Sequence, residues 1–105
     1  MLHVVKACQK ELSALSEEVR GDLADAIARL EEGQKLAMPL SRPMPSIGPS
    51  VHELRLRDKA GIYRVFYALI GPSGIWLLHA HMKKTNAATP QTIDLVKKRL
   101  KEIQK

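Results

Sequence analysis

Apolar and polar positions alternate with period two across residues 51–83, and recur at helical spacing on either side of that stretch. In VHELRLRD, Leu54 and Leu56 fall on one face of a strand, while Glu53, Arg55 and Arg57 fall on the other. A turn at Asp58-Lys59-Ala60-Gly61 leads into Ile62–Ile70, which is apolar on both sides except at Arg64. A second turn, Gly71-Pro72-Ser73-Gly74, opens a third strand. Strict alternation there puts Trp76, Leu78, Ala80 and Met82 on one face, and His79, His81 and Lys83 on the opposite one. Two hairpins sharing a middle strand predict a meander with one apolar face and one carrying Arg, His and Lys.

Ahead of the meander, Leu2–Lys6 reads as a short edge strand and residues 7–14 as a first helix marked by Leu12 and Leu15. Ser16 caps a second helix that opens with Glu17 and Glu18, favourable at the positive end of the helix dipole. Val19, Leu23, Ile27 and Leu30 form its stripe, and Gly33 ends it in the C′ position. So short a connection predicts an antiparallel helical hairpin laid on the apolar sheet face. Residues 34–50 carry four of the six prolines and no periodicity, so they read as an ordered surface connection with strand character near Lys35–Leu40. Arg42 within it reads as a solvated loop charge in preference to an addition to the basic surface. After the meander, Thr89 caps a helix whose first residue is Pro90. Ile93, Val96, Leu100 and Ile103 give that helix a core stripe; Lys97, Lys98, Arg99 and Lys101 give it a basic flank. The expected fold is α+β in a single domain, with helices on one face of a mainly antiparallel sheet.

The 105 residues suffice for one such core, and the apolar fraction of 45% is ordinary for a globular domain. No apolar run is long enough to cross a membrane, and the first residues lack the apolar core of a secretory signal. A single cysteine, Cys8, excludes an internal disulfide and makes a reducing cytoplasm the expected compartment; with no base paired to it, it reads as an inert thiol. The net charge of +6 is uneven: residues 1–50 hold 6 Lys/Arg against 7 Asp/Glu, and residues 51–105 hold 11 against 4. A positive field over the sheet and last helix favours nucleic acid or an acidic protein partner.

The segments ELSALSEEVRGDL, HELRLRD, GIYRVFYA and LLHAHMKKT followed by TP resemble the RelE/ParE superfamily of toxins from type II toxin–antitoxin systems, with the HigB-like, phage-associated branch nearest. That resemblance implies a ribosome-dependent endoribonuclease that cuts mRNA in the A site, and a cognate antitoxin, often a helix-turn-helix protein. It implies no cofactor. Such nucleases make the RNA 2′-hydroxyl attack the neighbouring phosphate, which needs a proton acceptor, cations for the phosphorane charge and an acid for the leaving oxygen. By motif position, Arg55, Arg64 and Lys84 match catalytic basic sites of RelE-type members; HigB-type members use histidines for proton transfer, which makes His81 a candidate acid or base. Arg57, Lys59, His79 and Lys83 would then bind RNA on the same face. Strict alternation turns Lys84 inward, which leaves Lys83 and Lys84 an unresolved pair.

Other readings of the same residues remain. No aromatic follows Trp76 to supply the tyrosine that RelE-type members carry. His79 reads as a hydrogen-bonded core residue as readily as an RNA contact, and His81 divides evenly between the two. Tyr63 and Tyr67, opposite Arg64, read as core under the helices, as does Trp76. Phe66 alone makes no stacking platform. His52, His79 and His81 lack the further ligands that zinc requires, so no metal is expected. The functional alternatives are a ParE-like inhibitor that binds DNA gyrase, and an antitoxin-binding relative that no longer cuts. The nuclease reading requires Arg and His side chains from three strands to converge on a patch that a phosphodiester can reach.

Overall fold

A computed structural model describes residues 2–72, 74–82 and 88–103. The elements run β1 (Leu2–Val4), α1 (Lys6–Ser13), α2 (Glu17–Glu31), β2 (Ser41–Pro43), β3 (Val51–Asp58), β4 (Gly61–Ile70), β5 (Gly74–Met82) and α3 (Pro90–Ile103). The five strands form one sheet in the order β1-β5-β4-β3-β2. β1 pairs with β5 in parallel, and every other pairing is antiparallel. The architecture is the expected α+β fold: three helices on an open, mostly antiparallel sheet.

Local signals act where the sequence places them. Ser16 Oγ accepts the Val19 N–H at 3.2 Å and starts α2. Gly33 ends α2 at φ +87°, a conformation that costs a residue without Cβ little. Thr89 Oγ1 accepts the Thr92 N–H at 3.2 Å and opens α3. In the β3–β4 turn, Asp58 Oδ1 accepts from Ala60 N at 2.8 Å and from Gly61 N at 3.3 Å.

Three features depart from the expectation. First, the helices lie on both faces. α1 and α2 bury Cys8, Val19, Leu23 and Ile27 against Leu54, Val65 and Tyr67. α3 buries Val96 and Leu100 on the opposite face, against Phe66, Ala68 and Leu78. The middle strand is apolar on both sides, and each side needs a cover. Second, β5 changes parity. Phe66 pairs with His79 but Tyr67 pairs with Leu77, so Leu78 is the extra residue of a bulge. Trp76 and Leu78 therefore pack on the α3 side with His79 and His81, while Ala80 turns to the α1/α2 side. Third, the strand within the proline-rich connection is Ser41–Pro43 rather than Lys35–Leu40. Its Ser41 meets the Tyr67 hydroxyl at 2.7 Å, so that buried phenol keeps a partner. Tyr63 and Tyr67 both sit under α1 and α2, as their alternation requires.

No helix among the described residues is long and apolar enough to cross a membrane.

Candidate functional site

On the face that α3 shares, pairing register brings three strands into line. Arg55 of β3 lies opposite Arg64 of β4, and Arg64 lies opposite His81 of β5. One step along, toward the apolar cluster beneath α3, the matching row is Arg42, Glu53, Phe66 and His79. Equal spacing along β3 and β4 places these groups on one side, and the bulge at Leu78 leaves His79 and His81 in phase with them.

Glu53 is the hub of the first group. Its Oε1 accepts from Arg55 Nε at 3.0 Å, and its Oε2 lies 3.3 Å from Arg64 Nε. Glu53 and Arg64 are each only 1% exposed, while the Arg55 side chain is 29% exposed. Burial lowers the pKa of Arg64 and Glu53 opposes that, with Arg55 and Arg42 adding to the lowering. A carboxylate between two guanidiniums holds Arg55 and Arg64 in place and cancels part of their mutual repulsion. Arg57 and Lys59, farther along β3 and in its turn, are exposed.

His79 belongs to a second group. Its Nδ1 lies 3.0 Å from Glu11 Oε1, and Arg99 donates to the same carboxylate through Nη1 at 2.8 Å and Nη2 at 3.0 Å. β1 pairs only with residues 75–77 of β5, so the strand edge beyond them needs other partners. Glu11 accepts the Ala80 N–H at 3.2 Å, and Arg99 donates to the Leu78 carbonyl at 2.8 Å. One carboxylate and one guanidinium thus pin α1 and α3 to the unpaired edge of β5. Burial raises the Glu11 pKa, but the hydrogen bond from Arg99, the nearby His79 and the Ala80 N–H together hold it below the ordinary value. His79 is 8% exposed, and burial lowers its pKa against the pull of Glu11.

His81 stands between the two groups. Its ring stacks on His79 at 4.8 Å and on Phe66 at 6.0 Å. Burial lowers its pKa, helped by His79 and Arg64, so the neutral imidazole prevails at neutral pH. Its Nε2 is enclosed and makes no hydrogen bond among the described residues.

The structure therefore brings Arg55, Arg64 and His81 together and keeps Arg57 and Lys59 nearby in solvent. It seals Arg64, and it commits His79 to Glu11 and Arg99. Lys83 and Lys84 lie outside the described residues. Among the described residues no group of three or more His, Cys, Asp or Glu is arranged to hold a metal ion. Sequence reasoning missed Glu11 and Arg99, which meet across 88 positions with no local signal. It placed Glu53 on this face but gave it no role, and it took Arg42 for a loop charge. A lone carboxylate alternating with two arginines in Glu53-Leu54-Arg55-Leu56-Arg57 was the available signal.

Fold and site define a small α+β protein with a cationic, histidine-bearing sheet face. Residues 10–101 match the model of a family described as phage-derived, Gp49-like proteins. The chain belongs to that Gp49-like family, which is a RelE-like toxin family. The family is associated with the toxins of toxin–antitoxin systems and so implies an antitoxin partner. A search of curated proteins gives no match.

Proposed function

We propose that this toxin is a ribosome-dependent endoribonuclease of HigB-like type, cutting mRNA in the A site by metal-independent attack of the 2′-hydroxyl. The observation that carries the reading is the row of Arg55, Arg64 and His81, drawn from three strands onto one face. A neutral His81, once its Nε2 is uncovered, suits removal of the 2′ proton. The 2′ oxygen then bonds to phosphorus, the bond to the 5′ oxygen breaks, and a cyclic phosphate and a 5′-hydroxyl result. Arg55, partly exposed, donates to the phosphate oxygens as charge develops there. Arg57 and Lys59 hold flanking phosphates, and Lys83 or Lys84 supplies the proton to the leaving oxygen.

Two of the expected roles change under this geometry. Arg64, ion-paired with Glu53 and sealed, acts as a positioning residue whose charge lies behind the phosphate site. His79 supports the ring of His81 rather than touching RNA. Because His81 Nε2 is enclosed, binding of RNA has to uncover it.

That same enclosure favours a second reading, in which the chain binds its antitoxin, and DNA gyrase or RNA, without cutting. Mapping of mRNA ends after expression, with and without translating ribosomes, separates the two. The nuclease reading expects cuts on translated messages alone, reduced by orders of magnitude in His81→Ala and Arg55→Ala. Intact messages accompanied by inhibited supercoiling would establish the gyrase reading instead.

A further inference from the structure

The register between β4 and β5 runs through Tyr67 and Leu77 on one side of the bulge, and through Phe66 with His79 and Arg64 with His81 on the other. Had the first register simply continued, Ala80 would face Arg64, and His81 would lie opposite Tyr63 on the side that α1 and α2 cover. The place of His81 in the arginine row therefore depends on one backbone irregularity. The two side chains that hold it come from outside the sheet. Arg99 Nη1 donates to the Leu78 carbonyl at 2.8 Å, and Glu11 Oε1 accepts the Ala80 N–H at 3.2 Å. The same two side chains are locked to each other by a fork, Nη1 to Oε1 at 2.8 Å and Nη2 to Oε2 at 3.0 Å. Between the two held peptide groups lies His79, whose Nδ1 is 3.0 Å from Glu11 Oε1. A carboxylate only accepts, so the His79 hydrogen sits on Nδ1. The ring so fixed is the one on which His81 stacks at 4.8 Å.

We propose that Glu11 and Arg99 are positioning residues for RNA cleavage: as one clamp they hold the Leu78 bulge and the His79 ring, and so set His81 opposite Arg64. The proposal rests on the nuclease reading, in which His81 takes the 2′ proton. The polarity of the clamp separates it from a plain tie between α1 and α3. An ion pair joins two helices equally well in either order. Here the Ala80 N–H needs an acceptor arriving from α1, and the Leu78 carbonyl needs a donor arriving from α3. Burial adds to the rigidity, since the Arg99 side chain is only 11% exposed and that of Glu11 23%. A base displaced by even a fraction of its distance to the 2′-hydroxyl loses much of its effect, so a fixed bulge has a direct bearing on rate.

The test compares the full chain with Glu11→Gln, Arg99→Lys and the exchanged pair E11R/R99E, each checked by circular dichroism for folding at the assay temperature. Glu11→Gln keeps the volume and loses the charge. Arg99→Lys keeps the charge and loses the fork, so it cannot serve the Leu78 carbonyl and both carboxylate oxygens together. In single-turnover cleavage of mRNA on programmed ribosomes, the limiting rate should fall about tenfold to a hundredfold in each single variant, with the half-saturating protein concentration unchanged. Imidazole nitrogen NMR of the chain without RNA should show the Nδ1–H tautomer of His79, and both single variants should move the signals of His79 and His81. The exchanged pair restores the attraction between α1 and α3 but should restore neither the rate nor the signals. Recovery in the exchanged pair would overturn the proposal in favour of a plain tie between helices. An unchanged limiting rate in the folded single variants, or a His81 signal that stays in place, would overturn it as well. Uncut messages with the unaltered chain would sink the nuclease reading alone; the His81 signals would then decide for or against the clamp by themselves.

Discussion

Replacing Glu53 by Gln removes one negative charge and almost no volume, and it does so where the carboxylate is 1% exposed between two guanidiniums. Arg64 then faces a neutral amide while its own side chain stays 1% exposed. Removing one partner of a buried ion pair costs up to roughly 3–5 kcal/mol, because the surviving charge keeps its desolvation penalty and loses that carboxylate's share of the attraction. Against a total stability of about 5–15 kcal/mol, the variant should fold but lie close to its limit. A loss of about 3 kcal/mol corresponds to a Tm lower by roughly 12 °C or more for a domain of this size. Urea unfolding at neutral pH is the assay, repeated in about 1 M salt, where surface ion pairs are screened and buried ones largely are not. The double variant Glu53→Gln/Arg64→Met should be less damaged than the sum of the single changes, since it removes both charges together. A cost below about 1 kcal/mol, or one that disappears in salt, would show that the pair is exposed to water and that Arg64 is not sealed.

Two further predictions come from the titrating groups and the core thiol. His79 and His81 have folded pKa values below the ordinary 6.5, so the unfolded chain takes up protons first as pH falls. Stability should be full above about pH 6.5 and decline on acidification, with Glu11 adding to the loss below its ordinary 4.5. Urea midpoints measured from pH 8 to pH 4 check this, and a midpoint that rises between pH 7 and pH 5.5 would refute it. The Cys8 thiol is buried, and burial with Glu11 nearby pushes its pKa up to about 12. Alkylation at pH 8 should be at least a hundredfold slower in the native chain than in urea, as read by mass spectrometry; equal rates would show the thiol to be open.

Burial was harder to foresee than position. Alternation along Glu53-Leu54-Arg55-Leu56-Arg57 and around Arg64 puts the arginines on one face, and register then carries them into one row. Nothing in that alternation says that Glu53 will draw Arg64 out of solvent. His81 was expected on the same face as Arg64, and register sets it directly opposite that residue. His79 was open between core and RNA, and Glu11 and Arg99 hold it.

What the amino-acid order determined by itself is local: the caps at Ser16 and Thr89, the turns at Asp58 and Gly71, and the two-residue period of β3 and β4. These follow from backbone sterics and hydrogen bonds between near neighbours, so a short window contains their cause. Tertiary structure alone decided the rest. One extra residue at Leu78 reverses the parity of Trp76 and Leu78 relative to the histidines, and nothing in a period-two count reveals it. The face chosen by α3, and the meeting of Glu11 with Arg99 at the bare edge of β5, depend on contacts between distant segments. Such contacts form only when the whole sheet is present to be covered.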